Sequence, residues 1–401
     1  MQRREFLQAV AAFQLTGLKP MTKDVVPIGD DERRQRIENA RRLMAANRID
    51  AIVLEPGSSL LYYTGVRWGR SERYFGFVLP ARGEPGWVVP GFEEMRAREL
   101  IRFGKDIRTW EEDESPFRAV AQILQDRGIT TGRVGIEETV RFFIVDGIRR
   151  EGPKLELMSA DPVTVGCRMI KSLAELALME RANQIALAAF RAAVPTLKEG
   201  ITHHQFRSSC EAAFQALGVA GDVTVNFGRY SAFPHGSTQP QKLRQGDVVL
   251  MDGVCEVEGY CGDITRTIVF GKPSARQRQI WELERRAQDA ALAAARPGAT
   301  CESVDAAARK VIVDAGFGPG YKVPGLPHRT GHGIGLDVHE APHLVRGNKM
   351  RLQPGMCFSD EPMITSYEEF GIRLEDCMHI TEDGAKLFTP QSVSIDSPFG
   401  S

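Results

Sequence analysis

Two carboxylates that lie close together in one short segment can bind a metal cation between them. Asp252 and Asp263 lie in the segment MDGVCEVEGYCGDITRT, where polar and glycine-containing residues separate two β-patterned runs. A hairpin with its turn near residues 257–259 places the two aspartates roughly opposite each other, because paired residues are equidistant from the turn. Facing carboxylates repel unless a cation lies between them, so the pattern predicts a site for oxygen-ligated metal ions.

Further ligands of the same chemical kind follow in the C-terminal part of the chain. His332 lies among glycines in the run GHGIGLDVHE, Glu361 lies in SDEP, and Glu375 lies in GIRLED. Four carboxylates and one imidazole suit two divalent ions that share bridging carboxylates and a bridging water, about 3.5–4 Å apart. The residue types do not indicate a purely thiolate site.

These motifs together resemble the catalytic domain of the pita-bread metallopeptidases, which include Xaa-Pro dipeptidase (prolidase), Xaa-Pro aminopeptidase, methionine aminopeptidase and the metal-free creatinase. The resemblance extends roughly from residue 172 to the C-terminus. It implies two divalent metal ions per chain, with Mn²⁺ favoured and Co²⁺ or Zn²⁺ as alternatives. It also implies the metal ligands, which are Asp252, Asp263, His332, Glu361 and Glu375. Of these, the resemblance makes Asp263 and Glu375 the bridging ligands. No ligand position is substituted, which argues against a metal-free branch.

The resemblance implies roles for side chains outside the ligand set. His235 resembles a substrate-binding histidine, and His339 resembles a histidine that contacts the scissile carbonyl or the residue before proline. His328 resembles a further active-site histidine of the proline-specific members. Arg373 lies two residues before Glu375, and alternation along a strand places both on the site face. There the arginine could orient a bridging carboxylate or bind substrate.

Each of these residues has an ordinary structural alternative. The hairpin aspartates could be strand-face carboxylates, although unpaired buried carboxylates cost several kcal/mol or more. The glycines around the histidine could form a simple turn. Asp360 is the immediate neighbour of Glu361. Asp376 is the immediate neighbour of Glu375. Because adjacent residues of a strand point to opposite faces, only one of each pair can face the site.

The function expected from these residues is metal-assisted hydrolysis of an amide bond. Two cations acidify a bridging water to hydroxide, which attacks a carbonyl that one metal polarises. Glu361 accepts the proton of the water and delivers it to the leaving nitrogen. His339 and His235 stabilise the oxyanion or hold the substrate. The expected substrate is the Xaa-Pro bond of a dipeptide or of a peptide N-terminus, and the sequence leaves both possibilities open.

Two other functions remain open from the sequence. A non-peptidase relative with the same fold could hydrolyse a small C–N bond or act as a lyase, because a shared fold does not fix the reaction. A non-catalytic binding protein is the second alternative. Such members usually lose metal ligands, whereas all of them are present in this chain.

The composition of the 401-residue chain is that of a globular protein of about two domains. A formal net charge of −1 gives no electrostatic reason to expect nucleic acid or an acidic membrane as a partner. No apolar run reaches the ~18–20 residues that span a bilayer. The seven cysteines lack paired zinc spacing, so we expect reduced, buried thiols. The resemblance implies a homodimer.

The N-terminus has two interpretations. Arg3 and Arg4 precede an apolar stretch, as in a twin-arginine export signal over residues 1–20. The stretch is short, is interrupted by glutamines, and has no clear small-residue cleavage site. The sequence therefore predicts a leader or disordered segment over residues 1–25 and a cytoplasmic protein, with export as the alternative.

The remaining chain is predicted to form two domains. In residues 26–168 strand and helix patterns alternate, which predicts a smaller α/β domain, and the resemblance makes it creatinase-like. It has no glycine-rich phosphate loop, so a nucleotide role is unsupported. Residues 169–401 are predicted to be the catalytic domain. Helix pairs that cover a mainly antiparallel curved sheet make its class α+β, in agreement with the pita-bread fold.

Helix starts are the sharpest local signals in the second domain. Ser172 with Glu175, and Thr202 with Gln205, each match a capping box, in which two side chains satisfy the free N–H groups of a first turn. A further helix is predicted over residues 279–296.

Overall fold

The computed structural model describes residues 17–400 of the chain. These residues divide into two compact units, one formed by Ile28–Arg168 and the other by residues 17–27 together with residues 169–400. The arginine pair and most of the apolar stretch of the proposed export signal lie in residues 1–16, outside the described residues. Within the described part, no helix is long and apolar enough to cross a membrane.

The smaller unit is a six-stranded sheet with helices connecting its strands. In chain order its strands are β1 (Ala51–Leu54), β2 (Gly76–Pro80), β3 (Gly86–Pro90), β4 (Asp106–Trp110), β5 (Gly132–Ile136) and β6 (Leu155–Ser159). Its helices are α1 (Asp30–Asn47), α2 (Ser58–Thr64), α3 (Glu94–Leu100), α4 (Pro116–Asp126), α5 (Phe142–Glu151) and α6 (Asp161–Arg168).

The strands of this sheet lie in the order β4-β3-β2-β1-β5-β6. The pairs β3–β4, β1–β5 and β5–β6 are parallel, and the two pairs made by β2 are antiparallel. Every residue of β1, β2 and β3 is buried, as expected for strands covered on both faces. The edge strands β4 and β6 are mostly half-buried, so they bury fewer side chains than the central strands.

Among the described residues, the larger unit combines four α-helices with short and long strands. Its helices are α7 (Leu173–Ala193), α8 (His203–Ala216), α9 (Ala275–Ala294) and α10 (Cys301–Asp314). Its strands are β7 (Gly221–Phe227), β8 (Val248–Val257), β9 (Tyr260–Val269), β10 (Gly331–Gly333), β11 (Glu340–Leu344), β12 (Cys357–Asp360), β13 (Met363–Thr365), β14 (Gly371–Arg373), β15 (Asp376–Ile380) and β16 (Ala385–Leu387).

These strands form a three-stranded sheet β7-β8-β9, a five-stranded sheet β11-β10-β12-β15-β16 and the pair β13-β14. All strand pairs of the unit, as far as the structure describes it, are antiparallel. An isolated bridge between Thr265 and Glu375 connects β9 to the segment between β14 and β15. The predicted α+β class with a mainly antiparallel sheet is confirmed.

The predicted capping boxes are both present. The side chain of Ser172 caps α7, and the side chain of Thr202 caps α8, each with its reciprocal partner. Helix α9 begins earlier than predicted, because Ser274 and Gln277 form a third capping box that the sequence analysis did not use. The first turn of α9 carries polar residues, so apolar periodicity alone places its start too late.

Residues 17–27 pack against the rest of the larger unit, although a leader or disordered segment was predicted over residues 1–25. The Met21 N–H donates to the Leu217 carbonyl oxygen at 2.8 Å. Arg181 and Asp24 form an ion pair at 2.8 Å. These contacts are backbone and surface-charge contacts, which leave no apolar pattern in the sequence.

Gly262 of β9 lies directly against the backbone of α7. A Cβ atom at this position would be 2.4 Å from the Asn183 nitrogen and 2.5 Å from the Ala182 carbonyl carbon. We expect Gly262→Ala to lower the free energy of unfolding by about 1–3 kcal/mol, because a packed backbone cannot yield as a flexible side chain does. Urea denaturation measures this. Gly384→Ala is the matched control, since a Cβ there meets nothing within 4 Å. Equal losses in both variants would contradict the proposed close packing.

Candidate metal centre

The two aspartates lie on the hairpin formed by β8 and β9. The turn is at residues 258–259, whose φ angles of 52° and 90° are those of a two-residue type I′ turn. Asp252 pairs with Thr265, and Asp263 pairs with Val254. The aspartates are therefore diagonal neighbours on one face and are not directly opposite, because the turn lies slightly later than the sequence suggested.

Asp263, His332 and Glu375 converge at the centre of the site. One possible ligand atom of each residue lies within 4.8 Å of those of the other two. All three side chains are buried. They come from β9, from β10 and from the segment between β14 and β15, so three distant parts of the sequence meet at one point.

Glu361 lies next to this central group, immediately after β12. The Nε2 atom of His332 lies 3.2 Å from Oε1 of Glu361 and 3.7 Å from Oδ2 of Asp263. The Ser359 hydroxyl donates to Oε1 of Glu361 at 3.1 Å. The Glu361 N–H donates to the Thr330 carbonyl oxygen at 2.8 Å. Both the backbone and the carboxylate of Glu361 are therefore held in place.

Asp252 is held at the site by Arg373. The guanidinium Nη2 donates to Oδ2 of Asp252, and Nε donates to the Thr265 hydroxyl oxygen at 3.1 Å. The Thr265 hydroxyl in turn donates to Oε2 of Glu375 at 2.6 Å. A third donor of Arg373, Nη1, lies 3.3 Å from the Pro234 carbonyl oxygen. The donors of Arg373 are thus directed at the protein itself.

Burial dominates the protonation of the central groups. Burial, reinforced by the charges of Asp252 and Glu361, raises the pKa of Asp263 well above its usual value. Burial and the charge of Asp263 do the same to the pKa of Glu375. Burial also raises the pKa of Glu361 to about 7 and lowers the pKa of His332 well below its usual value. Crowded carboxylates of this kind ionise together only when positive charge compensates them.

The central residues fit a bound metal ion. Asp263 Oδ1 and Glu375 Oε1 are buried and have no hydrogen-bond partner among the described residues. Leaving a buried acceptor without a partner costs about 1–3 kcal/mol. Carboxylate oxygens beside an imidazole nitrogen are a donor set that Mn²⁺, Co²⁺ and Zn²⁺ accept. A divalent cation would satisfy both the unused lone pairs and the excess negative charge.

His339 lies over the central histidine. The ring centroids of His332 and His339 are 3.9 Å apart. Arg329 Nη2 lies 3.3 Å from Nδ1 of His339. Because arginine only donates hydrogen bonds, Nδ1 accepts here and Nε2 carries the proton of the neutral ring. His339 is exposed, so this N–H is accessible to a ligand.

His328 and His235 lie close enough to influence each other electrostatically. Nδ1 of His328 lies 2.7 Å from the Arg329 carbonyl oxygen, so this nitrogen carries the proton. Burial, then the charges of Arg373 and His235, lower the pKa of His328 to about 3. Its Nε2 atom has no partner in residues 17–400 and can accept a hydrogen bond. His235 is exposed in the loop after the short 3₁₀ helix Gly228–Ala232.

Asp360 and Asp376, the sequence neighbours of the acidic site residues, face helix α9. Oδ1 of Asp376 accepts from Arg266 at 2.7 Å, and Oδ2 accepts from Gln288 at 3.1 Å. Burial, with the charges of Asp376 and Glu284, raises the pKa of Asp360 well above its usual value. Strand alternation therefore assigns each member of the two acidic pairs to a different face.

Three supporting residues were not singled out from the sequence. Thr265 lies two residues after Asp263, and Ser359 lies two residues before Glu361, so strand alternation could have placed both on the site face. Arg329 has no such signal, because it belongs to a loop whose path depends on the whole fold.

Two family models match the chain. Residues 177–382 match metallopeptidase family M24, and residues 36–170 match the creatinase/prolidase N-terminal domain.

Named relatives match over most of the chain. The Xaa-Pro dipeptidase of Pyrococcus furiosus is 31% identical over 364 residues, which cover 89% of this chain and 98% of that protein. The probable dipeptidase PepE of Mycobacterium tuberculosis is 36% identical over 359 residues, which cover 86% and 93%.

Solved structures match equally well. The dipeptidase PepE from Mycobacterium ulcerans superposes with a TM-score of 0.85 at 31% identity, covering 92% of this chain and 98% of that one. The prolidase from Thermococcus sibiricus gives a TM-score of 0.81 at 29% identity, covering 89% and 96%. The pita-bread fold and the creatinase-like smaller domain that the resemblance implied are confirmed.

Proposed function

Because this chain belongs to metallopeptidase family M24, we propose that it hydrolyses Xaa-Pro dipeptides at a centre that holds two divalent metal ions. Membership of the family makes the protein a metal-dependent hydrolase that cleaves peptides. The observation that carries the finer proposal is the convergence of Asp263, His332 and Glu375 within 4.8 Å. Because these relatives are named dipeptidases, we propose dipeptides rather than longer peptides as the substrates of this chain.

The metal ions would be held by the residues that share the site: Asp252, Asp263, His332, Glu361 and Glu375. Asp263 and Glu375 would be central to holding the ions, since each keeps a buried oxygen without another partner in the described chain. Mn²⁺ is the favoured ion, with Co²⁺ or Zn²⁺ as alternatives. When bound, the ions would polarise the scissile carbonyl and lower the pKa of the attacking water to about 7.

Glu361 is the residue that we assign to proton transfer. Glu361 is more accessible than the two most buried residues of the site, because it keeps 9% of its surface exposed whereas His332 and Glu375 each keep 1%. The Ser359 hydroxyl at 3.1 Å fixes one carboxylate oxygen. Glu361 accepts the proton of the attacking water and gives it to the proline nitrogen, which must be protonated as it leaves.

The histidines around the centre hold the substrate. The Nε2–H of His339 donates to the oxyanion that develops on the scissile carbonyl. His328 offers a neutral Nε2 acceptor, and we assign the exposed imidazole of His235 to substrate binding. Arg373 orients Asp252, because its donors are already taken by protein acceptors.

A small peptide panel tests the proposal. With Mn²⁺ added, the full chain should release proline from Ala-Pro with a higher kcat/KM than it hydrolyses Ala-Pro-Ala or Ala-Ala. Ala-Pro-Ala lacks the free carboxylate that a dipeptidase recognises immediately after the cleaved bond, and Ala-Ala lacks the proline. Hydrolysis of Ala-Pro-Ala as fast as Ala-Pro would assign an aminopeptidase instead. Failure to hydrolyse any Xaa-Pro peptide would overturn the proposal and favour a non-peptidase reaction.

A further inference from the structure

A fully buried polar network lies behind the proposed metal ligands. It is formed by Arg266 of β9, Gln288 of α9 and Asp376 of β15, each with 0% of its surface exposed. Burying such groups costs free energy unless their hydrogen bonds are satisfied, and apolar side chains would fill the same space without that cost. The contacts of the network show what it holds in place.

Arg266 fixes the backbone that carries Glu375. Its Nη1 donates to the Glu375 carbonyl oxygen at 2.7 Å and to the Thr265 carbonyl oxygen at 3.0 Å. Its Nη2 donates to Oδ1 of Asp376 at 2.7 Å and to the Pro390 carbonyl oxygen at 3.1 Å. One guanidinium thus ties β9, the ligand-bearing segment and the start of β15 together.

Gln288 joins that segment to the one that carries Glu361. Its Nε2 donates to Oδ2 of Asp376 at 3.1 Å and to the Asp360 carbonyl oxygen at 3.2 Å. Asp360 and Asp376 are paired residues of β12 and β15. Since Asp360 directly precedes Glu361 and Asp376 directly follows Glu375, a single amide connects the residues next to two proposed ligands.

Glu361 and Glu375 share no hydrogen bond in the described chain, so before a cation binds their separation must be maintained by the structure around them. We propose that Gln288 and Arg266 are positioning residues that hold Glu361 and Glu375 at the spacing the metal ions require, and thereby set metal affinity. The inference rests on the proposed function, because it takes these glutamates as ligands. Groups behind metal ligands typically change metal affinity 10–100-fold when they are mutated.

Calorimetric titration of the metal-free full chain with MnCl₂ tests the inference without measuring activity. Gln288→Leu removes both donors at similar volume, and Gln288→Glu replaces a donor by an acceptor that faces Asp376. We expect the Kd for Mn²⁺ to rise about 10–100-fold in both variants.

The matched control is Leu283→Ala on the same helix, which opens the apolar core without removing any bond of the network. It should lower the melting temperature and leave the Kd for Mn²⁺ at the wild-type value. The positioning role is wrong if the Gln288 variants melt earlier but bind Mn²⁺ as tightly as the wild type.

Two other results are decisive. If the wild type binds no Mn²⁺, the metal-centre proposal fails and the inference fails with it, whereas Mn²⁺ binding without Xaa-Pro hydrolysis overturns only the substrate assignment. If neither Gln288 variant folds, Arg266→Lys takes their place. Lysine keeps the charge beside Asp376 but loses the forked hydrogen bonds, so the same rise in Kd is required.

Discussion

Replacing Glu361 by glutamine should lower kcat for Ala-Pro by about 10²–10⁴-fold, because that is the usual contribution of a positioned general acid or base. Glutamine keeps the shape of the side chain and can still accept from the Ser359 hydroxyl, but it cannot take up or release a proton near neutral pH. Steady-state kinetics at saturating Mn²⁺ measures the loss. Metal content measured on the same samples separates a chemical defect from a loss of metal.

Asp360→Asn is the matched control for Glu361→Gln. Asp360 is adjacent to Glu361 but faces helix α9, and burial holds the pKa of its carboxyl well above the usual value. Asparagine keeps the shape of this side chain, which does not face the site, so kcat should change far less than in Glu361→Gln. If Asp360→Asn inactivates the enzyme and Glu361→Gln does not, the assignment of the two faces is reversed.

Removal of the metal ions should abolish hydrolysis, and added Mn²⁺ should restore it. Without cations the site has neither a polarised carbonyl nor an acidified water, so the loss should exceed that caused by any single substitution outside the ligand set. The measurement is proline release from Ala-Pro after chelator treatment, dialysis and stepwise addition of MnCl₂. Activity that survives complete demetallation would rule out the metal-assisted reaction.

The same treatment should change stability. Asp263 and Glu375 keep buried oxygen atoms without partners among the described residues, and a cation satisfies them only in the folded protein. At an Mn²⁺ concentration of about 100 times Kd the folded state gains about 2.7 kcal/mol, which raises the melting temperature. The His332→Ala variant is the control, because loss of a central ligand should remove most of this increase.

Local chemistry explains why much of the fold could be predicted. A four-residue capping-box motif predicts each of the helix starts at Ser172 and Thr202, and the central strands are short apolar runs. The segments that escaped prediction lack such patterns. The edge strands bury few side chains, and residues 17–27 are held by backbone and surface-charge contacts.

The residues of the site likewise divide into those that the sequence predicts and those that it does not. Its acidic and imidazole residues occur in recognisable motifs, and strand alternation indicates which neighbours share a face. The register of the hairpin was only approximate, because a small error in turn position moves Asp263 along β8 relative to Asp252. Gln288 could not be found from the sequence, since its two acceptors lie on strands distant in the chain and only the folded unit brings them together.

The most direct test of the metal centre is anomalous scattering from crystals of the full chain grown with Mn²⁺. We expect two anomalous peaks per chain between the carboxylates and the imidazole, with Asp263 and Glu375 contacting both ions. Asp252, His332 and Glu361 should each contact one or both of them. The absence of bound manganese at these residues, with ordered side chains turned away from one another, would contradict the proposed centre.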